Sequence, residues 1–138
     1  MATDIVSVCV DDRMPGVIAD VLRITNVGRY HPIPAFGCSL GLDHEFGLFG
    51  QVIGKLHSHR VSIYDHLGCK AYHEKFGRIS PEEERQIHIS KLREREMQLR
   101  ELFPGLTEIR LYLLPDVHPE RIEPKVVRLI KNGELIEV

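Results

Sequence analysis

The chain has 138 residues, enough for one domain with a substantial core, and 43% of them are hydrophobic and 28% charged, as is usual for a globular protein. The formal net charge is −2, and basic residues alternate with acidic ones along the chain, which argues against a nucleic-acid-binding protein. No apolar stretch reaches the length of a membrane span and no N-terminal signal peptide is recognisable, so we expect a cytoplasmic protein with no membrane partner.

The cysteine count is informative. Three cysteines (Cys9, Cys38 and Cys69) are an odd number, and a reducing compartment disfavours disulfide bonds, so a disulfide framework is not expected. Metal binding, nucleophilic chemistry or simple burial remain. For Cys38 we expect burial as a small hydrophobic residue.

The first half of the chain alternates strand and helix patterns. Ile5–Val10 is an almost continuous apolar run, typical of a strand buried on both faces. Pro15 suits the first turn of a helix, and the two prolines in 29–37 favour an extended edge or connecting segment. An apolar stripe of helical spacing follows in 48–56, and then a short alternating strand over Arg60–Asp65.

The second half begins with the clearest helix. Ser80 and Glu83 have the spacing of a capping box, and the dipeptide at 104–105 marks the end of the helix. A strand follows at 108–115, and Asn132–Gly133 predicts a hairpin with a type I′ turn. The alternation predicts a single α/β domain spanning 1–138, with a mostly parallel central sheet flanked by helices.

Potential metal ligands follow two of the predicted strands. Cys9 ends the first strand, and His66 and Cys69, three positions apart, follow the third; ligands of such sheets collect at the carboxyl ends of the strands. Residues two apart in an extended run share a face, so Asp11 and Arg13 should lie on the side of Cys9. Two thiolates and an imidazole suit zinc, and three protein ligands leave the fourth position that a catalytic zinc requires.

The two motifs together resemble a known family. C-x-D-x-R, here "CVDDR", followed later by H-x-x-C, here "HLGC", is similar to the zinc signature of the β-class carbonic anhydrases, and the motifs occur in the same order and at strand ends. The resemblance implies that Cys9, His66 and Cys69 bind Zn²⁺. It also implies that Asp11 either pairs with Arg13 or moves to the metal as a fourth ligand.

The same resemblance implies the activity and the assembly. A member of this family would be a lyase that hydrates carbon dioxide reversibly to bicarbonate by means of zinc-bound hydroxide, with Asp11 and Arg13 as catalytic residues. It would also form a homodimer or a higher homo-oligomer with the site near the subunit interface.

Lys70 stands directly after the second cysteine, where the family usually has glycine, and "RYHPIPAFGCSLG" stands where the family has R-N-A-G-N. Two alternatives are therefore open: a zinc hydrolase of another small electrophile such as carbonyl sulfide or carbon disulfide, and a zinc-binding protein without turnover. His57 and His59 are expected to lie at a helix end, where histidine suits the helix dipole and solvent. Five histidines show no ligand spacing, namely His31, His44, His73, His88 and His118. Tyr64 and Tyr72 are expected to pack.

Overall fold

Alternating strands and helices form most of the structure, a computed structural model that describes residues 3–11, 13–115 and 124–138. The elements in chain order are β1 (Asp4–Val8), α1 (Ile18–Ile24), β2 (Tyr30–Pro32), α2 (Phe46–Leu56), β3 (Arg60–His66), α3 (Lys70–Phe76), α4 (Pro81–Leu102), β4 (Glu108–Leu114), β5 (Val127–Leu129) and β6 (Leu135–Glu137). Short 3₁₀ turns lie at Met14–Gly16, Cys38–Leu40 and Leu42–Glu45.

The strands form one six-stranded sheet with the order β2-β1-β3-β4-β5-β6. The first four strands in this order pair in parallel, and β5 and β6 add an antiparallel hairpin beside β4. The predicted α/β class with a mostly parallel sheet is therefore confirmed. Because β1 and β3 are parallel neighbours, the residues at their carboxyl ends lie at the same edge of the sheet.

Both faces of the sheet are buried, as the continuous apolar run of β1 predicts. Ile5 contributes to a core that also contains Phe49 of α2 and Leu92 of α4. The next residue, Val6, points to the opposite face and joins a second core with Val21 of α1. This alternation places α1 on one side of the sheet and α2 and α4 on the other.

Helix α4 begins with the predicted capping box. The hydroxyl of Ser80 accepts a hydrogen bond from the Glu83 N–H (3.1 Å), and the Ser80 N–H donates to the Glu83 carboxylate (3.2 Å). The buried stripe of the helix does not simply follow its apolar residues, since Leu102 is 54% exposed. Three polar residues share the buried stripe with Leu92 and Leu99, namely Glu84, His88 and Arg95.

The C-terminal hairpin is confirmed, but the predicted turn type is wrong. A type I′ turn needs positive φ at both central residues, and here Gly133 has φ +87° whereas Asn132 does not have a positive φ. The Gly133 N–H donates to the Ile130 carbonyl (2.9 Å) and the Ile130 N–H donates to the Glu134 carbonyl (3.0 Å). These bonds close a three-residue loop in which glycine takes the left-handed position.

Within the described ranges, none of the helices combines the length and the apolar character that crossing a lipid bilayer requires.

Candidate metal centre

The local backbone brings the two sequence motifs to one point. Cys9 directly follows β1 and bridges to Ala35, and His66 is the last residue of β3. Gly68 has φ +70°, a conformation that favours glycine and that reverses the chain between His66 and Cys69. Cys69 then occupies the N-cap of α3, so its side chain returns toward His66.

Cys9, His66 and Cys69 lie close together and are buried. One ligand atom from each residue lies within 4.8 Å of the others, and the exposed fractions are 4%, 1% and 1%. The two Sγ atoms are 3.9 Å apart. Two Zn–S bonds of about 2.3 Å at a tetrahedral angle place the sulfurs about 3.8 Å apart, so the thiol spacing fits tetrahedral zinc.

One ring nitrogen of His66 has no hydrogen-bond partner among the described residues and is available to this group. Its Nδ1 lies 3.0 Å from the Leu67 carbonyl oxygen, which can only accept, so Nδ1 carries the proton and donates. Its Nε2 is buried and has no hydrogen-bond partner among the described residues. A buried nitrogen lone pair without a donor is costly, and a metal ion would satisfy it. The residues present therefore fit zinc.

The two thiols are not equivalent. Contact with the Cys69 thiol, together with proximity to His66, outweighs burial and lowers the pKa of Cys9 to about 4. The same contact with Cys9, together with burial, raises the pKa of Cys69. The lowered pKa favours the thiolate at Cys9, and a divalent cation would favour loss of the Cys69 proton as well.

Asp11 and Arg13 form a bidentate ion pair beside this group. Asp11 Oδ1 accepts from the Arg13 backbone N–H and Nε (2.9 Å each), and Oδ2 accepts from Nη2 at 2.8 Å. The guanidinium holds the pKa of Asp11 well below its usual range. Asp11 Oδ2 also lies 3.7 Å from His66 Nε2, so an ionised carboxylate borders the metal position.

Arg13 connects the two motifs directly. Its Nη2 donates a second hydrogen bond to the Gly68 carbonyl at 2.9 Å, in the turn between His66 and Cys69. Asp11 and Arg13 lie beside the metal position, but the extended run from which the sequence predicts their common side ends before Arg13, which has φ −79° and ψ −24°.

A small cavity opens onto the cysteines. It has a volume of about 210 Å³ and is lined by Cys9, Val10, Asp11, Phe36, Cys69, Lys70 and Ala71. A larger and mainly apolar groove of about 380 Å³ adjoins it along β1 and β2 and shares Cys9, Val10 and Asp11. Lys70, which departs from the family pattern, therefore lies at the opening of the site.

A buried polar network behind the site was not expected from the sequence. The Asp65 carboxylate accepts from the Ser39 N–H (2.9 Å) and from the Ser39 hydroxyl, and its Oδ2 lies 2.7 Å from His88 Nδ1. His88 Nε2 in turn lies 3.0 Å from Glu84 Oε2. Tyr72, expected to pack only, donates to Asp65 (3.3 Å) as well as stacking on the His88 ring. The four-residue spacing of Glu84 and His88 on a helix is the one sequence signal that indicates their contact.

The remaining predictions concern Cys38 and the histidines outside the metal group. Cys38 is fully buried, as expected, and burial raises its pKa. In the described part of the chain, Cys9, His66 and Cys69 form the only group of three or more such residues arranged to hold a metal. His118 lies outside the described residues.

Two carbonic anhydrases are among the solved structures to which this chain is similar. No model of a known protein family matches the chain, and no curated protein matches it. A carbonic anhydrase from Glaciozyma antarctica is 17% identical, with a TM-score of 0.46 over 98% of this chain and 80% of that one. The β-carbonic anhydrase CafA of Aspergillus fumigatus is 13% identical, with a TM-score of 0.44 over 100% of this chain and 76% of that one. A functional assignment therefore depends on the residues of this chain itself.

Proposed function

We propose that the chain is a zinc-dependent enzyme of the β-class carbonic anhydrase type that catalyses the reversible hydration of carbon dioxide. The observation that carries the proposal is the convergence of three buried ligand atoms within 4.8 Å at a cavity, beside an ionised carboxylate. Cys9, His66 and Cys69 would hold Zn²⁺ and leave one coordination position for water or substrate. Zinc would lower the pKa of a bound water molecule to about 7, so that a nucleophile exists at neutral pH.

The side chains around the metal position would orient the reactants. Asp11 offers Oδ2 as a hydrogen-bond acceptor to the attacking oxygen, and Arg13 keeps this carboxylate ionised and turned in one direction. The apolar groove beside Cys9 suits an uncharged linear molecule. In the reaction the water oxygen bonds to the carbon of carbon dioxide, and bicarbonate and one proton are released.

The proposal is tested by the rate of carbon dioxide hydration of the zinc-loaded protein across pH, with Cys69→Ser as the blank. We expect a rate well above the blank that rises with pH around 7, as the bound water ionises. Stopped flow with a pH indicator measures this rate, and elemental analysis measures one zinc per chain. No rate above the blank at any pH, with zinc still bound, would contradict the proposed activity.

Replacement of Lys70 tests whether the substrate is carbon dioxide or another small electrophile. Because carbon dioxide carries no charge, replacing the exposed Lys70 at the cavity opening by glycine is expected to leave its hydration rate nearly unchanged. Lys75→Gly, on the same helix but away from this cavity, controls for the loss of helix stability. A strong rise in rate for Lys70→Gly alone would indicate that the native site is shaped for a different substrate, such as carbonyl sulfide or carbon disulfide.

A zinc-binding protein without turnover is the second candidate. The separation of 3.7 Å between Asp11 Oδ2 and His66 Nε2 favours it, because a short movement of the carboxylate would close the fourth position. Assembly into a homodimer or higher homo-oligomer and a cytoplasmic location remain predictions of the sequence.

A further inference from the structure

Two side chains on α4 contact both ends of the segment that carries His66 and Cys69. Glu84 and His88 are four residues apart, so they lie on the same face of the helix, one turn from each other. Both are buried, with exposed fractions of 2% and 0%. Polar side chains at this depth need partners, and theirs lie at the metal-binding segment.

His88 holds the strand end of the segment. Its Nδ1 lies 2.7 Å from Oδ2 of Asp65, the residue directly before His66. Asp65 is itself fully buried and is fixed from the other side by the N–H and the hydroxyl of Ser39. Arg95 Nε donates to the Ser39 carbonyl at 2.7 Å and fixes that turn to α4 as well. The last residues of β3 therefore have little freedom to rotate.

Glu84 holds the helix end of the segment. Its Oε2 accepts a hydrogen bond from the Cys69 N–H at 3.4 Å and lies 3.0 Å from His88 Nε2. Its Oε1 lies 2.8 Å from Nε2 of the half-exposed His73, one turn further along α3. The carboxylate thus joins the backbone of Cys69 to α4 and to α3 at once.

The contact of His88 with Asp65 and the contact of Glu84 with the Cys69 N–H together bear on the distance between His66 and Cys69. With both nitrogens facing carboxylate oxygens, the His88 ring must donate at each, so Asp65, His88 and Glu84 form one continuous chain of charge-assisted hydrogen bonds. One end of this chain lies next to His66 and the other lies on Cys69. A change at either end would therefore be expected to shift one of the two side chains relative to the other.

We propose that Glu84 and His88 are positioning residues that hold His66 and Cys69 at the separation that metal binding requires. The inference rests on the proposed metal centre. Its residues on α4 contact the metal ligands and their neighbours rather than the metal, as supporting residues do in other metal sites. Removing such a partner typically weakens metal affinity by about 10-fold to 100-fold.

The test is the zinc affinity of Glu84→Gln, measured by competition with a chromophoric chelator, together with the visible absorption spectrum of the cobalt-substituted protein. We expect zinc to bind about 10-fold to 100-fold more weakly and the cobalt bands to shift, because the Cys69 ligand is displaced. Asp4→Asn is the matched control. It removes another buried carboxylate, paired with Arg60 at the opposite end of the sheet, and should leave affinity and spectrum unchanged.

The outcomes separate the two proposals. Wild-type protein that binds no zinc contradicts the metal centre itself. Wild-type protein that binds zinc, with equal affinity and an equal cobalt spectrum in Glu84→Gln, overturns the positioning inference alone. Should Glu84→Gln fail to fold, His88→Gln supplies the test, because it removes the other proposed positioning residue. A several-fold weaker affinity in His88→Gln supports the inference, and an unchanged affinity overturns it.

Discussion

Asp11→Asn is expected to lower the rate of carbon dioxide hydration by about a hundredfold or more while one zinc per chain remains bound. Removing one preorganised hydrogen bond at the reacting atoms typically costs about 10²-fold to 10³-fold in rate, and the amide is a weaker acceptor than the carboxylate. The Asp11 side chain is only 4% exposed and borders the metal position, so water cannot easily replace it. The three proposed ligands are unchanged, which is why the metal should stay. Stopped-flow rates and zinc content per chain measure the two effects separately.

Asp20→Asn is the control for this substitution. Asp20 also pairs with an arginine, Arg23 at 3.5 Å, but both side chains lie on the surface of α1. Its replacement should change neither the rate nor the zinc content, since exposed pairs contribute little. An unchanged rate in Asp11→Asn would refute the catalytic role of Asp11. Loss of zinc in Asp11→Asn would instead identify Asp11 as a fourth ligand and favour the site without turnover.

The parts of the site that follow from backbone periodicity could be predicted from the sequence. Cys9 and His66 occupy the ends of two predicted strands, and neighbouring parallel strands bring such ends together. Asp11 and Arg13 also lie together, but in a turn rather than on an extended run: β1 ends at Val8, Arg13 has helical backbone angles, and its backbone N–H donates to the Asp11 carboxylate. Short-range rules suffice for Cys9 and His66.

The network of Asp65, Glu84 and His88 could not be predicted in the same way. Asp65 and His88 are 23 residues apart, and their contact depends on how α4 packs across the sheet. The pattern of α4 also misleads, because a buried charged residue resembles a solvated one until its partner is known. Leu102 shows the reverse case, an apolar residue with helical spacing that the end of the helix leaves exposed.

The hairpin turn differs from its prediction for a local reason. Asn-Gly most often forms a type I′ turn, but this requires both residues in the left-handed region. Here the Asn132 side chain accepts a hydrogen bond from the Glu134 N–H at 3.0 Å, and only Gly133 has a positive φ. The contact of the Asn132 side chain with the Glu134 N–H thus occurs in a turn that is not type I′, while the two strands still form a hairpin.

His88 is expected to make the stability of the metal-free protein depend on pH above neutrality. Burial alone would lower the pKa of its ring, but the hydrogen bonds with Asp65 and Glu84 outweigh burial and raise it to about 9. Because this pKa lies above the value of 6.5 for an ordinary histidine, the folded state binds the proton more tightly than the unfolded state. The resulting stabilisation is fully present below about pH 6.5 and is lost as the pH rises through about 9.

The expected loss is on the order of 3 kcal/mol, since each tenfold difference in proton affinity corresponds to about 1.4 kcal/mol. Urea unfolding of the metal-free protein at about pH 6 and about pH 9.5 measures it as a difference between wild type and His88→Gln. The difference between the two proteins removes the contribution of other groups that titrate in this range to the free energy of unfolding, because both proteins retain those groups. His44→Gln, at a side chain that is 83% exposed, should keep the wild-type pH dependence. Parallel pH profiles for wild type and His88→Gln would show that the ring is not held protonated between the two carboxylates.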